Sequence, residues 1–238
     1  MRIFYPAVQR SPNDLNSADK KPDHKCCGII LYYGEKLNSI THLVGAVLAL
    51  IGLGSLLTVS IQQRDAWMIF SFSVFGFTLV LLYTFSTLYH SFHPPKLKRI
   101  FQRLDHVSIY LLIAGTYTPY MLVSLRDGRG PYMLSAVWAL AVFGLSLDVL
   151  RARRIELLQI AIYLGMGWIV ALEYGNLRSA ISTTGIVWLT VGGIAYTVGI
   201  IFYVLDNMQR LRHAHGIWHM FVLVGSCTHF VSIIAYVR

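Results

Sequence analysis

Seven apolar stretches of about 20 residues each follow one another through this chain. A stretch of that length crosses a bilayer as a helix, because hydrocarbon offers a strand or loop no partner for its backbone polar groups. They fall at Thr41–Ile61, Ala66–Tyr89, Val107–Leu125, Tyr132–Leu150, Ile155–Leu172, Ile186–Leu205 and Ile217–Val237. With a polar tail they fill most of the 238 residues, leaving short connections and no room for a second domain. Only 13% of the residues are charged, roughly half of what a soluble domain carries. The expected fold class is therefore all-α: a polytopic membrane protein with a seven-transmembrane-helix bundle over residues 40–238, preceded by a polar tail over residues 1–39.

The net charge of +9 would suggest nucleic acid in a soluble protein. Here the charges sit between the spans, so no nucleic-acid partner is expected. Of the 20 Lys and Arg residues, 15 lie in the tail and the connections on its side of the membrane, and 5 on the other. Under the positive-inside rule the N-terminus is cytoplasmic, and an odd number of spans puts Arg238 outside. A rhodopsin-like receptor runs the other way. A retinal pump needs an intramembrane lysine, whereas all the lysines lie in the tail or in the connection after the second span. The tail, with Pro6, Pro12 and Pro22 and no early apolar run, does not read as a cleavable signal. Cys26, Cys27 and Cys227 make no disulfide framework and read as free thiols, with acylation of Cys26 or Cys27 a lone hint.

Because a charge in hydrocarbon is costly, ionisable residues near the spans are candidates for function. Two pairs share a spacing: Ser86 and His90 at the end of the second span, His215 and His219 at the start of the seventh. Residues four apart lie on one helix face. With the N-terminus inside, both pairs and Asp105 at the start of the third span share one cytoplasmic depth. Three neutral imidazoles from two helices suit zinc, with a fourth position open for water as in catalytic sites. A lone HxxxH pair is a weak signal, since histidine often caps helix ends; its co-location with His90 and Asp105 gives it weight. Gly216, Ile217 and Trp218 between the histidines exclude the HExxH pattern. No phosphate loop, GxSxG elbow or paired-carboxylate motif is present. Gly192 and Gly193 read as helix-packing glycines.

The other candidates have plainer readings. His93 and His213 read as solvated loop histidines. His106 points about 100° away from Asp105 and suits a headgroup or outer contact. His42, with Glu35, either lines the mouth of a cavity or caps and snorkels. His229, about 15 Å deeper than His219, reads as a hydrogen-bonded packing histidine. Asp148 and Glu156 flank Arg151, Arg153 and Arg154 as interfacial ion partners, and Glu173 marks the outer end of the fifth span. Gly115 to Pro119 should break or kink the third helix.

Four runs now stand out in order: Glu35-Lys-Leu-Asn-Ser-Ile-Thr-His42, Ser86-Thr-Leu-Tyr-His90, Asp105-His-Val-Ser-Ile-Tyr-Leu-Leu-Ile-Ala-Gly-Thr-Tyr-Thr-Pro119 and His215-Gly-Ile-Trp-His219. By these runs the chain after the tail resembles the haemolysin III family, the bacterial branch of the progestin and adipoQ receptor family. The resemblance implies a seven-helix bundle with a cytoplasmic N-terminus in a bacterial plasma (inner) membrane. It also implies zinc held by His90, His215 and His219, with Asp105 and Ser86 beside the water at the metal. The wider superfamily, which includes alkaline ceramidases, implies metal-dependent hydrolysis of lipid amides. Eukaryotic relatives are hormone-linked receptors, while bacterial members carry a cytolysin name and an association with membrane lipid homeostasis.

Two functions follow as expectations. The first is a zinc hydrolase of a lipid amide or ester, with Zn2+ as cofactor, membrane lipids as partners and an acyl-lipid or fatty-acid ligand entering sideways. In it Asp105 accepts and returns the proton, and Ser86 orients rather than attacks, having no base partner. The alternative is a non-enzymatic sensor, receptor-like protein or cytolysin in which zinc is a structural staple. Spans this apolar lack the polar stripe that lines a water channel.

Overall fold

A computed structural model describes residues 35–150 and 155–238, which form helices with no strand among the described residues. The helices are α1 (Lys36–Gln63), α2 (Ala66–Ser91), α3 (Pro95–Pro119), α4 (Gly130–Leu150), α5 (Glu156–Trp168), α6 (Tyr174–Ala180), α7 (Thr183–Asn207) and α8 (Ala214–Tyr236). A π-helical turn, Tyr120–Ser124, prolongs α3, and a 3₁₀ turn, Ile169–Glu173, joins α5 to α6. With α3 and its π turn as one span, and α5, its 3₁₀ turn and α6 as another, 7 helices among the described residues are long and apolar enough to cross a membrane. Cys26, Cys27, Arg151, Arg153 and Arg154 lie outside the described residues, as does almost all of the tail.

The turns are encoded locally. Arg64 ends α1 in the left-handed region at φ 57°. The Asp65 carboxylate then caps α2, accepting from the N–H groups of Trp67 at 2.8 Å and Met68 at 3.2 Å. Pro95 opens α3 where a missing N–H costs nothing. From there α3 runs about three turns before the expected apolar run begins at Val107, because the stretch holding Lys96, Lys98, Arg99 and Arg103 is helical although too polar for hydrocarbon.

The third helix does not break at Gly115 to Pro119. It stays α-helical to Pro119, and only then widens, with the Leu125 N–H reaching back to the Tyr120 carbonyl at 3.0 Å. Its Tyr117 hydroxyl instead perturbs the fifth span. It donates to the Met166 carbonyl at 2.6 Å and accepts the Val170 N–H at 2.9 Å, and the α-helix tightens to 3₁₀ at that point. The fifth span therefore continues to Ala180, and Glu173 does not mark its end. Glu173 is only 5% exposed and accepts from the Asn176 amide. Asp148 is buried and accepts from Gln159 Nε2, tying α4 to α5, while its expected ion partners Arg151, Arg153 and Arg154 lie outside the described residues. Of the adjacent glycines Gly192 and Gly193 in α7, Gly192 is a packing residue, since a Cβ there would meet His229 at 2.2 Å, whereas Gly193 faces nothing within 4 Å.

Helix α1 packs on α2 and α8, α2 on α3, α3 on α4 and α5, and α7 on α5 and α8. Phe72, Phe75, Tyr83, Tyr110 and Tyr120 fill the interior. Outward, α1 and α2 present Leu43, Val47, Ile51, Phe70 and Phe77, an apolar surface that suits lipid rather than water. The neighbours of α1 are what matter for function, because α2 and α8 each carry histidines at the end where α1 begins.

Candidate metal centre

His90 stands in the last turn of α2, with Ser86 one turn before it on the same face; the two are 4% and 1% exposed. His215 and His219 occupy the first turns of α8, whose start is set by His213 at φ 64°. The ring centroids are 5.0 Å apart for His90 and His215, 4.9 Å for His90 and His219, and 4.7 Å for His215 and His219. None of these pairs is stacked. One nitrogen from each ring lies within 4.8 Å of the others, so the three could hold a metal ion.

Hydrogen bonds decide which nitrogens these are. His219 Nδ1 faces the Asn38 carbonyl at 3.2 Å, and a carbonyl only accepts, so Nδ1 carries the proton. His215 Nδ1 faces the Asp206 carboxylate at 3.1 Å, and His90 Nδ1 faces the Glu35 carboxylate. Glu35 also accepts from Lys98 Nζ at 3.0 Å. Burial alone would raise the Glu35 carboxyl, but the hydrogen bonds from His90 and Lys98 outweigh it and hold it below the usual carboxylate range. With Nδ1 donating, each neutral ring leaves its Nε2 lone pair available. The three Nε2 atoms are buried and have no hydrogen-bond partner among the described residues. A buried unpaired polar atom costs about 1–3 kcal/mol, and one cation would satisfy all three. Imidazole nitrogens oriented by carboxylates and a carbonyl are the donor set of zinc sites.

A family model for Haemolysin-III related proteins matches residues 32–230. The chain belongs to the haemolysin III family. It is 39% identical over 203 residues to Hemolysin-3 of Bacillus cereus, covering 85% of this chain and 91% of that one. It is 40% identical over 202 residues to the Hemolysin-3 homolog of Bacillus subtilis (strain 168), covering 85% and 93%. A more distant relative is the human Monocyte to macrophage differentiation factor, 27% identical over 209 residues, 86% of this chain and 84% of that one.

In this haemolysin III chain the structure brings His90, His215 and His219 together, and Ser86, one turn before His90 on α2, has a buried hydroxyl with no hydrogen-bond partner among the described residues. Asp105 is 6% exposed on α3, the helix packed against α2. His106 turns to its own helix, its Nδ1 donating to the Gln102 carbonyl at 2.6 Å. His229 is the hydrogen-bonded packing residue expected, with Nε2 3.0 Å from the Leu189 carbonyl. His42 does not snorkel. It is 2% exposed and lies flat on His219, with centroids 3.6 Å apart and planes 12° from parallel. Three partners of the cluster escaped the sequence reading. Glu35 drew notice there only beside His42 and at the head of the first run, Asp206 was not singled out, and the Asn38 carbonyl, being backbone, has no sequence signal. Cys227 is free and exposed on α8.

Proposed function

We propose that this haemolysin III protein is an intramembrane zinc-dependent hydrolase of a lipid amide or ester bond, in a bacterial plasma membrane with its N-terminus in the cytoplasm. The observation that carries the reading is the convergence of three buried Nε2 atoms whose opposite nitrogens are all engaged by acceptors. His90, His215 and His219 hold the metal. When bound, zinc supplies a Lewis acid that polarises a carbonyl and brings the pKa of water toward neutrality. Asp105 takes the proton of the attacking water on a carboxylate oxygen and delivers it to the leaving nitrogen or oxygen. Ser86 donates its hydroxyl proton to the substrate carbonyl and holds it in line; lacking a base, it does not attack. The acyl chain of the lipid stays in hydrocarbon throughout, so the substrate enters from the side. The distribution of Lys and Arg, 15 against 5, supports the orientation.

The name of the Bacillus cereus relative, Hemolysin-3, supports a second reading: a cytolysin or other non-enzymatic membrane protein in which the metal staples α2 to α8. Asp105 separates the two, because a staple needs ligands and no acid–base group. The test is metal analysis and fatty-acid release from N-acyl and ester lipids, on detergent-purified wild type and Asp105→Asn. The hydrolase reading expects about one zinc per chain in both and a fall in turnover of about 100-fold or more in the variant. Zinc-free, well-folded wild type overturns it, and so does full turnover by the variant. Zinc without hydrolysis of any lipid leaves the staple.

A further inference from the structure

The opening run of α1, from Glu35 to His42, supplies no metal ligand, yet three of its members touch the histidines. Glu35 engages His90, the Asn38 carbonyl engages His219, and the His42 ring covers one face of His219. The first turn of α1 can come this close because Gly216, between the two α8 histidines, has no side chain. A Cβ there would meet Leu37 at 2.4 Å and the Asn38 side chain at 3.2 Å. Asp206, at the end of α7, engages His215. A divalent ion held by three neutral imidazoles would bring two uncompensated positive charges to the membrane boundary, which is costly in low dielectric. Two carboxylates, each hydrogen-bonded to a ligand ring, cancel that charge.

Building on the zinc reading, we propose that Glu35 and Asp206 are positioning residues for the metal: they fix the Nδ1-protonated tautomer of His90 and His215 and supply the counter-charge that lets a divalent cation bind. The Asn38 carbonyl does the same orienting work for His219 without charge. The opening run of α1 is thereby an outer shell of the metal centre, and its histidine is a cover for His219 rather than a ligand. Lys98 contacts Glu35 on its far oxygen and offsets part of its charge, so it tunes the site without being needed for it.

The experiment measures Zn2+ affinity by chelator competition, and the visible absorption of bound Co2+, on full-length purified protein. Glu35→Gln and Asp206→Asn remove charge and keep shape, Glu35→Asp and Asp206→Glu restore charge, and Lys98→Met serves as a control. Each charge-removing variant should weaken Zn2+ binding by about 10- to 100-fold and shift the Co2+ spectrum. The charge-restoring variants should recover part of the affinity, and Lys98→Met should bind Zn2+ at least as tightly as wild type. Folded Glu35→Gln and Asp206→Asn proteins within about twofold of wild type would overturn the proposal. If Glu35→Gln does not fold, the more exposed Asp206 decides alone. Wild type that binds neither metal fails the zinc reading itself, a separate outcome from stoichiometric binding that ignores the carboxylates.

Discussion

An imidazole buried among apolar side chains must have its nitrogens met or lose the water that met them. His229 meets one through the Leu189 carbonyl and presses against Gly192. Its replacement by alanine should lose that bond and open a cavity, destabilising the protein by about 2–4 kcal/mol. Unfolding in SDS would measure the loss, and zinc content should stay at the wild-type value because the residue lies away from the cluster. A destabilised protein that also lost its metal would contradict this assignment. The depth of His229 along its helix made its packing role legible in the sequence. His42 was not legible in the same way. Its stack on His219 arises from α1 lying against α8, a contact between opposite ends of the chain that no local pattern encodes.

Among the elements, the fifth span shows how one helix can set the winding of another. The Tyr117 hydroxyl enters the α5 ladder between Met166 and Val170, and a short 3₁₀ turn follows. In Tyr117→Phe the Val170 N–H loses its acceptor inside the bundle, so the thermal midpoint should fall by the equivalent of about 1–3 kcal/mol. Hydrogen exchange should rise around residues 166–173 and nowhere else; unchanged exchange there would show that the turn holds itself. Apolar length revealed where this span was, but an insertion from a neighbouring helix has no trace in its own residues. The same rule placed the start of α3 too late. It detects hydrocarbon, whereas the helix begins at Pro95 with a charged, locally encoded turn. Conversely, the i, i+4 spacing of Ser86 with His90 and of His215 with His219 was sufficient to find the faces that meet, because both pairs lie in regular helix.

For the whole molecule, the charge count leads to a topological expectation. Alkaline phosphatase, active only outside the cytoplasm, should be active when fused after Arg238 and inactive when fused in the connection between α7 and α8. The reverse pattern would refute a cytoplasmic N-terminus and move the histidine cluster to the outer face. The seven spans follow from length and hydrophobicity alone, while their order around the bundle, with α1 between α2 and α8, follows from packing that only the folded chain reveals. That order has a consequence for biosynthesis. His90 is made early, at the end of the second span, whereas His215 and His219 arrive with the last helix. A nascent chain cannot complete the histidine cluster until α8 has inserted beside α1, so on the proposed zinc reading metal capture would report the completion of assembly, and truncated chains lacking α8 would leave the insertion machinery without an ion.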